Sequence, residues 1–484
     1  MLINKATIIC LVLIFSFNAF SQENFIKVSE NKFVLNNIEF KFFGFNAYYL
    51  QSEAGEIERK YIVDDVFQSA DNIGVNVIRT WAFYESSSFS NSSIIRKSPY
   101  VVQESGLIAL DYVLQRAREN EIYLILTLSN NYSAFGGISQ YITWANEIKL
   151  NGCANYSHND FFVNDSIKQW FKFYIELLLN RTNTINGIKY KDDPTIFSWE
   201  IMNEAENPGK DFSIIKNWYD EISSFIRSVD QNHIITTGEN SYDVYFNLYS
   251  DVDLMYNSSY FLVNGYKGTS YYENSQLKDI DYVSFHSYPN GWGLSAKAGK
   301  TWIKDHYKIA VAFNKPCLLG EFGIKENKLS VYSDWLDDIK RSSTKSAIVW
   351  QYLHPDIVNN DGYGFNENNS PELMELFQDY IEEINSDTTN NISITEDAVI
   401  YQNFPNPFNP VTTIKYSLPE DDFVSLEIYT SLGELVGVVD KGYREEGKHE
   451  VILSFQNYLL SSGVYFYNLR TSRQTITKKL MLLK

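Results

Sequence analysis

Apolar runs of four to nine residues alternate with stretches of helical spacing through roughly the first 385 residues. The runs at 40–47, 75–81, 123–129, 195–203, 233–237, 281–287, 317–321 and 346–351 predict eight buried strands. Between them, a helix is expected near 58–73 and another near 166–181. Leu107, Leu110, Val113, Leu114 and Ala117 repeat at the spacing of one helix face, and 215–229 does the same. Eight strands separated by helices favour an α/β fold, a (β/α)8 barrel rather than an open sheet. The Tyr-, Asn- and Ser-rich segment 239–280 reads as loops laid over one face of it. Beyond 385 the pattern changes. A polar stretch of linker composition leads to runs at 424–429, 450–455 and 463–469 that alternate with period two between Gly and Pro, which predicts a small β-sandwich. The expected domains are therefore a leader at 1–21, the barrel at 22–385, a linker at 386–398 and the sandwich at 399–484.

The leader comes from the N-terminus, where Lys5 precedes an apolar run from Ala6 to Phe17 and Ala19 and Ser21 offer small residues for cleavage before Gln22. That run is short for a membrane span and no later one is longer, so a chain exported as a soluble protein is expected. Formal charge is −19. The segment 399–484 carries nine basic and nine acidic residues, so the excess of acid lies on the barrel. Such a surface repels nucleic acid and anionic lipid and suits a neutral substrate. Aromatic residues make up 16% of the chain, enough to line a groove for the C–H faces of sugars or to fill a large core. With Cys10 in the leader, Cys153 and Cys317 remain, and two free thiols are expected rather than a disulfide framework. The six His residues lack metal-ligand spacing and no Gly-rich phosphate loop occurs, so no metal or cofactor is expected.

Two carboxylates stand out. Glu204 follows the apolar run 195–203, and Glu321 follows 316–320. A carboxylate where a barrel strand ends is where this architecture presents its chemistry, and two of them on separate strands suit acid/base work on a glycosidic bond. Around them lie RTWAF (79–83), NNYSAFGGISQYITWA (130–145), YKDDPTIFSWEIMNE (190–204), FHSYP (285–289), LGEFG (319–323) and WQY (350–352). In this order and spacing they resemble the β-mannanases of glycoside hydrolase family 5, over about 25–385.

That resemblance implies Glu204 as general acid/base and Glu321 as nucleophile of a retaining hydrolase cutting internal bonds of mannan, glucomannan or galactomannan. It further implies Arg79 and Tyr288 as donors to Glu321, Asn203 on the substrate 2-hydroxyl, His286 orienting Glu204, and Trp350 as the floor of the reacting subsite. The charge of Glu321 is expected to keep Glu204 protonated. Trp81, Tyr48, Tyr132 and Trp292 fall at or beyond predicted strand ends, where sugar stacking and core packing are both open. The chain departs from the family where Ala205 and Glu206 stand in place of Pro and Arg, which bears on leaving-group-side affinity. A β-1,4-glucanase of the same family and a glycan-binding protein without catalysis are the alternatives. The tail, with YQNFPNPFNPVTTIKYSLP (401–419), LSSGVYFYNLR and a terminal KKLMLLK, resembles the type A sorting domain of type IX secretion. This implies passage across the outer membrane by that machinery; a carbohydrate-binding sandwich is the alternative.

Overall fold

The computed structural model describes residues 25–87, 91–153, 155–250, 260–358, 361–390, 398–419, 421–455 and 460–483. The predicted leader and most of the predicted linker lie outside them. All eight expected strands form: β1 Phe43–Asn46, β2 Val77–Trp81, β3 Tyr123–Thr127, β4 Ile196–Glu200, β5 Ile234–Thr236, β6 Val283–Ser287, β7 Cys317–Phe322 and β8 Ala347–Val349. Their order in the sheet is β5-β4-β3-β2-β1-β8-β7-β6, and every ladder between them is parallel. The two ends of that order meet at a seam held largely by hydroxyls. Thr236 Oγ1 donates to Tyr282 O at 3.0 Å and Gly238 N donates to Ser284 Oγ at 3.1 Å. Most strands are shorter than their apolar runs; β4 stops at Glu200, four residues before Glu204.

The helices form where one face can be buried against this sheet. In Ser213–Val229 the buried positions are Ile215, Trp218, Tyr219, Ile222, Ser223 and Ile226, a stripe of period 3.6. Helix Asp165–Leu179 starts where the Asn164 side chain accepts from Ser166 N and Ile167 N, satisfying two otherwise orphaned donors. The last barrel helix runs Pro371–Asn390 and so takes in the first residues that read as linker. At the N-terminal end of the barrel a hairpin from Lys27–Ser29 and Lys32–Leu35 acts as a plug. Its Phe33 ring meets Phe197 and Tyr282 edge-on at 5.2 and 5.1 Å, in a cluster with Val77, Ile125, Leu318 and Ile348. With that end packed, the C-terminal ends of the strands are left to present chemistry.

Strands Val399–Ile400, Val411–Leu418 and Gly447–Ser454 form one antiparallel sheet; Leu435–Arg444, Asp422–Thr430, Gly463–Arg470 and Thr475–Leu482 form another. Ile414, Tyr416, Leu426, Ile428, Leu453, Tyr467 and Leu480 share one core between them, as the period-two pattern predicts. Cys153 is an exposed free thiol and Cys317 a buried one.

Among the described residues, the connection from β5 to β6 is mostly irregular, as its composition suggests, but it is anchored by buried carboxyls. Glu239 accepts from Thr237 Oγ1 at 3.1 Å and from Asn274 Nδ2 at 3.0 Å. Burial pushes this carboxyl up to about 7. A carboxyl raised on folding stabilises the fold fully below its unfolded value of 4.5, and that contribution is lost as pH rises through about 7. Glu239→Gln is therefore expected to gain about 3 kcal/mol on the parent between pH 5 and pH 8. Urea unfolding of both proteins at the two pH values measures this, and parallel behaviour would contradict it.

Candidate active site

At the C-terminal end of the barrel, one guanidinium organises the floor. Arg79, on β2, has 1% of its surface exposed. Its Nε donates to both oxygens of Glu200 at 3.0 and 2.9 Å, and Nη2 donates to Glu200 Oε1 at 2.6 Å and Asn203 Oδ1 at 2.8 Å. Nη1 donates to Asn46 Oδ1 at 2.8 Å and to Glu321 Oε1 at 2.5 Å. Every N–H of the guanidinium is thus used by the protein. Glu321 lies within β7, opposite His286, where the β6–β7 register shifts. Tyr288 OH donates to its Oε2 at 2.6 Å. Both oxygens of Glu321 therefore face a donor that favours the ionised form.

Glu204 hangs from a different kind of support. After β4 ends, Asn203 N donates to Ser129 O at 2.9 Å and Glu204 N to Gly238 O at 2.7 Å, so the chain stays tied to the strands on either side. Glu204 sits at φ 56°, a left-handed conformation that costs a β-carbon-bearing residue about 1–2 kcal/mol. Its Oε1 lies 2.7 Å from His286 Nδ1, and that nitrogen is 3.6 Å from Glu321 Oε2. Oxygens of Glu204 and Glu321 and the imidazole nitrogen all fall within 4.8 Å of one another.

Burial pushes the Glu204 carboxyl up to about 7, against the pull of Arg79. Desolvation is the leading cause; the repulsion between the two carboxyls, expected to act here, falls on Glu321. Burial pushes Glu321 upward too, reinforced by the charge of Glu204 and opposed by His286, Arg79 and Tyr288. With charge-supporting donors on both Glu321 oxygens, the proton shared by this pair settles on Glu204. Burial lowers His286 to about 4, so its ring is neutral near pH 7. Its Nε2 has no partner among the described residues, which places the single N–H on Nδ1, pointing at Glu204. The three convergent groups also have spacing a cation could use. Arg79 and Tyr288 already occupy Glu321, however, so the set fits proton transfer better than an ion.

Aromatic rings line one wall. Trp350 is half-buried, stacked on Tyr48 at 5.4 Å and 10°, and its Nε1 donates to Asp361 Oδ2 at 2.8 Å. Trp81 is buried behind Tyr48, with the rings 4.8 Å apart, and stacks on Phe83. Tyr132 is exposed and lies beside Glu204, whereas Trp292 is half-buried against Trp302 and Tyr242. Asn203 keeps its amide near the carboxylates, with Nδ2 donating to Asn130 Oδ1 at 3.1 Å and its second N–H without a partner among the described residues. Glu206 is buried and paired with Lys267 Nζ at 2.9 Å, and that ammonium lies 4.9 Å from the Tyr242 ring. The 239–280 connection is strapped to this loop, with Asn207 N donating to Lys267 O at 2.8 Å.

The structure thus brings Glu204, Glu321, Arg79, Asn203, His286 and Tyr288 into one hydrogen-bonded cluster, with Trp350 and Trp81 in the adjoining wall. Sequence reasoning missed Glu200, Asn46, Asp361 and Lys267. Glu200 had a readable signal: a charged residue inside an apolar strand requires a buried partner.

Residues 23–351 match the family model described as glycoside hydrolase family 5 beta-mannosidase-like, and residues 402–483 match that of a secretion system C-terminal sorting domain. The mannan endo-1,4-beta-mannosidase 4 of Solanum lycopersicum is 35% identical over 325 residues, covering 65% of this chain and 76% of that protein. Among solved structures, the endo-1,4-beta-mannanase from Rhizomucor miehei superposes with a TM-score of 0.65 at 28% identity, covering 75% of this chain and 99% of that one. The hyperthermostable endo-1,4-beta-D-mannanase from Thermotoga petrophila gives 0.64 at 29% identity, over 71% of this chain and 100% of its own.

Proposed function

Because this chain belongs to the glycoside hydrolase family 5 beta-mannosidase-like family and is a glycosidase, we propose that it is a retaining endo-β-1,4-mannanase, exported from the cell. The observation that carries the reading is the approach of Glu204 and Glu321 oxygens to within 4.8 Å. Retaining enzymes hold their two carboxyl groups about 5–5.5 Å apart, whereas inverting ones leave about 6.5–9.5 Å for a water.

In this reading, neutral Glu204 protonates the glycosidic oxygen as Glu321 attacks the anomeric carbon from the opposite face. The leaving chain departs and a glycosyl ester forms on Glu321. Glu204, now ionised, takes a proton from water as that water attacks the anomeric carbon, and the ester bond breaks with net retention. Arg79 and Tyr288 hold the charge that leaves and returns to Glu321, and the His286 N–H keeps Glu204 turned toward the bond. The remaining N–H of Asn203 is available to the 2-hydroxyl. Trp350, backed by Tyr48 and Trp81, offers its free face to the sugar ring. Where relatives of this family carry an Arg, the Glu206–Lys267 pair borders the leaving-group side.

Mannan is the favoured polymer because the relatives named above are mannan endo-1,4-beta-mannosidases. Reducing ends released from mannan and from carboxymethyl-cellulose, measured side by side, test this, with rapid release from mannan alone expected. Proton NMR of the first products should show the β-anomer before mutarotation. Turnover of cellulose alone would favour the glucanase, and tight binding without turnover would favour a binding protein. For the sorting domain at 402–483 we favour type IX export to the cell surface or medium. Among the described residues, no helix is long and apolar enough to cross a membrane.

A further inference from the structure

Glu200 belongs to none of the roles above, yet it takes more of Arg79 than Glu321 does. Three of the guanidinium's contacts go to its carboxylate, at 2.6–3.0 Å, and one goes to Glu321. Glu200 is itself 1% exposed, at the last position of β4, and Thr127 Oγ1 donates to its Oε1 at 2.9 Å. The backbone leaves room for it deliberately narrow: a Cβ on Gly238, at φ +80°, would lie 2.5 Å from Glu200 Cγ. A buried arginine serving Glu321 alone would form a neutral pair with it. Two carboxylates sharing one guanidinium carry a net charge of −1, which remains in the cavity.

We propose that Glu200 is a positioning residue for the reaction, locking Arg79 edge-on to Glu321 and keeping that guanidinium from fully neutralising the attacking carboxylate. A nucleophile paired tightly with its own cation is a poor one, because attack must first separate the charges. Sharing the cation leaves Glu321 oriented but reactive. The groups facing Glu321 are Arg79, Tyr288, His286 and Glu204; those around Glu200 are Arg79, Thr127 and, more remotely, His286, Tyr219 and Tyr282. With Glu200 neutralised, the full charge of Arg79 falls on Glu321. The pH at which Glu321 ionises should then drop.

The inference rests on Glu321 as nucleophile, so Glu321→Ala is assayed in parallel. In Glu200→Gln, kcat on mannan is expected to fall about 10–100-fold, with KM changed less than about threefold. The acid limb of kcat/KM should move to lower pH by about half a pH unit or more, and Glu200→Asp should recover part of kcat. An unmoved acid limb overturns the proposal, whether kcat is unchanged or falls with the folded fraction seen in thermal unfolding. If Glu200→Gln yields no folded enzyme, the same profile is read on Glu200→Ser, which also removes the charge, and a limb at the parental pH is again fatal. Were Glu321→Ala to hydrolyse mannan normally, the functional reading itself would fall; with that variant inactive and Glu200→Gln unaffected, only Glu200 loses its role.

Discussion

Glu321→Ala is expected to lower kcat on mannan by about 10⁴-fold or more while leaving the fold intact. The carboxylate is removed from a cluster in which Arg79 keeps its contacts to Glu200, Asn46 and Asn203, so the guanidinium is not orphaned. Far-UV circular dichroism and thermal unfolding should therefore resemble the parent. What vanishes is the atom that forms a bond to the sugar. The space left beside Tyr288 can admit a small anion such as azide, which would attack from the face Glu321 used. With an activated aryl mannoside, azide should restore turnover and yield the glycosyl azide of inverted configuration. An electrostatic role for Glu321 predicts no such product, so failure to form it, in an inactive but folded variant, would assign the attack to another group.

Glu204→Gln is expected to lower kcat on mannan by about 10²–10⁴-fold, the usual worth of a positioned acid/base. Its signature lies in pH dependence. Burial holds this carboxyl protonated up to about 7, so the parent should lose activity as pH rises through that value. A glutamine has no proton to lose, and the alkaline limb should disappear from what activity remains. A substrate with a good leaving group needs no acid in the first step but still needs a base in the second. The variant should accumulate a sugar ester on Glu321, visible as added intact mass. If the limb near pH 7 persists in Glu204→Gln, the titrating group is some other residue.

The barrel was legible because parallel strands covered on both faces are continuous apolar runs, and all eight occur where such runs lie. Glu204 and Glu321 were legible through their motifs. The harder features depend on what folding brings together. The surroundings of Glu204 come from several connections, with Tyr132 and Asn240 hydrogen-bonding at its side, and neither is written next to it in the chain. The partner of Glu206 proved to be Lys267, in a segment that reads only as polar loop. Glu200 was passed over because it stands in the middle of the run Phe197–Met202, where the eye follows the apolar residues. Arg79 within β2 is the matching anomaly, and pairing the two would have predicted the buried bridge.

A guanidinium whose donors are all consumed by its neighbours has nothing left with which to greet an incoming polymer. The cation at the floor of the cleft is thereby hidden from the ligand, and selectivity among neutral hexoses passes to ring faces and to a few uncommitted amide and hydroxyl groups. Such a pocket reads the tilt of a pyranose more than its charge. Its preferences can then drift through changes in aromatic neighbours while the internal ionic scaffold stays as it is.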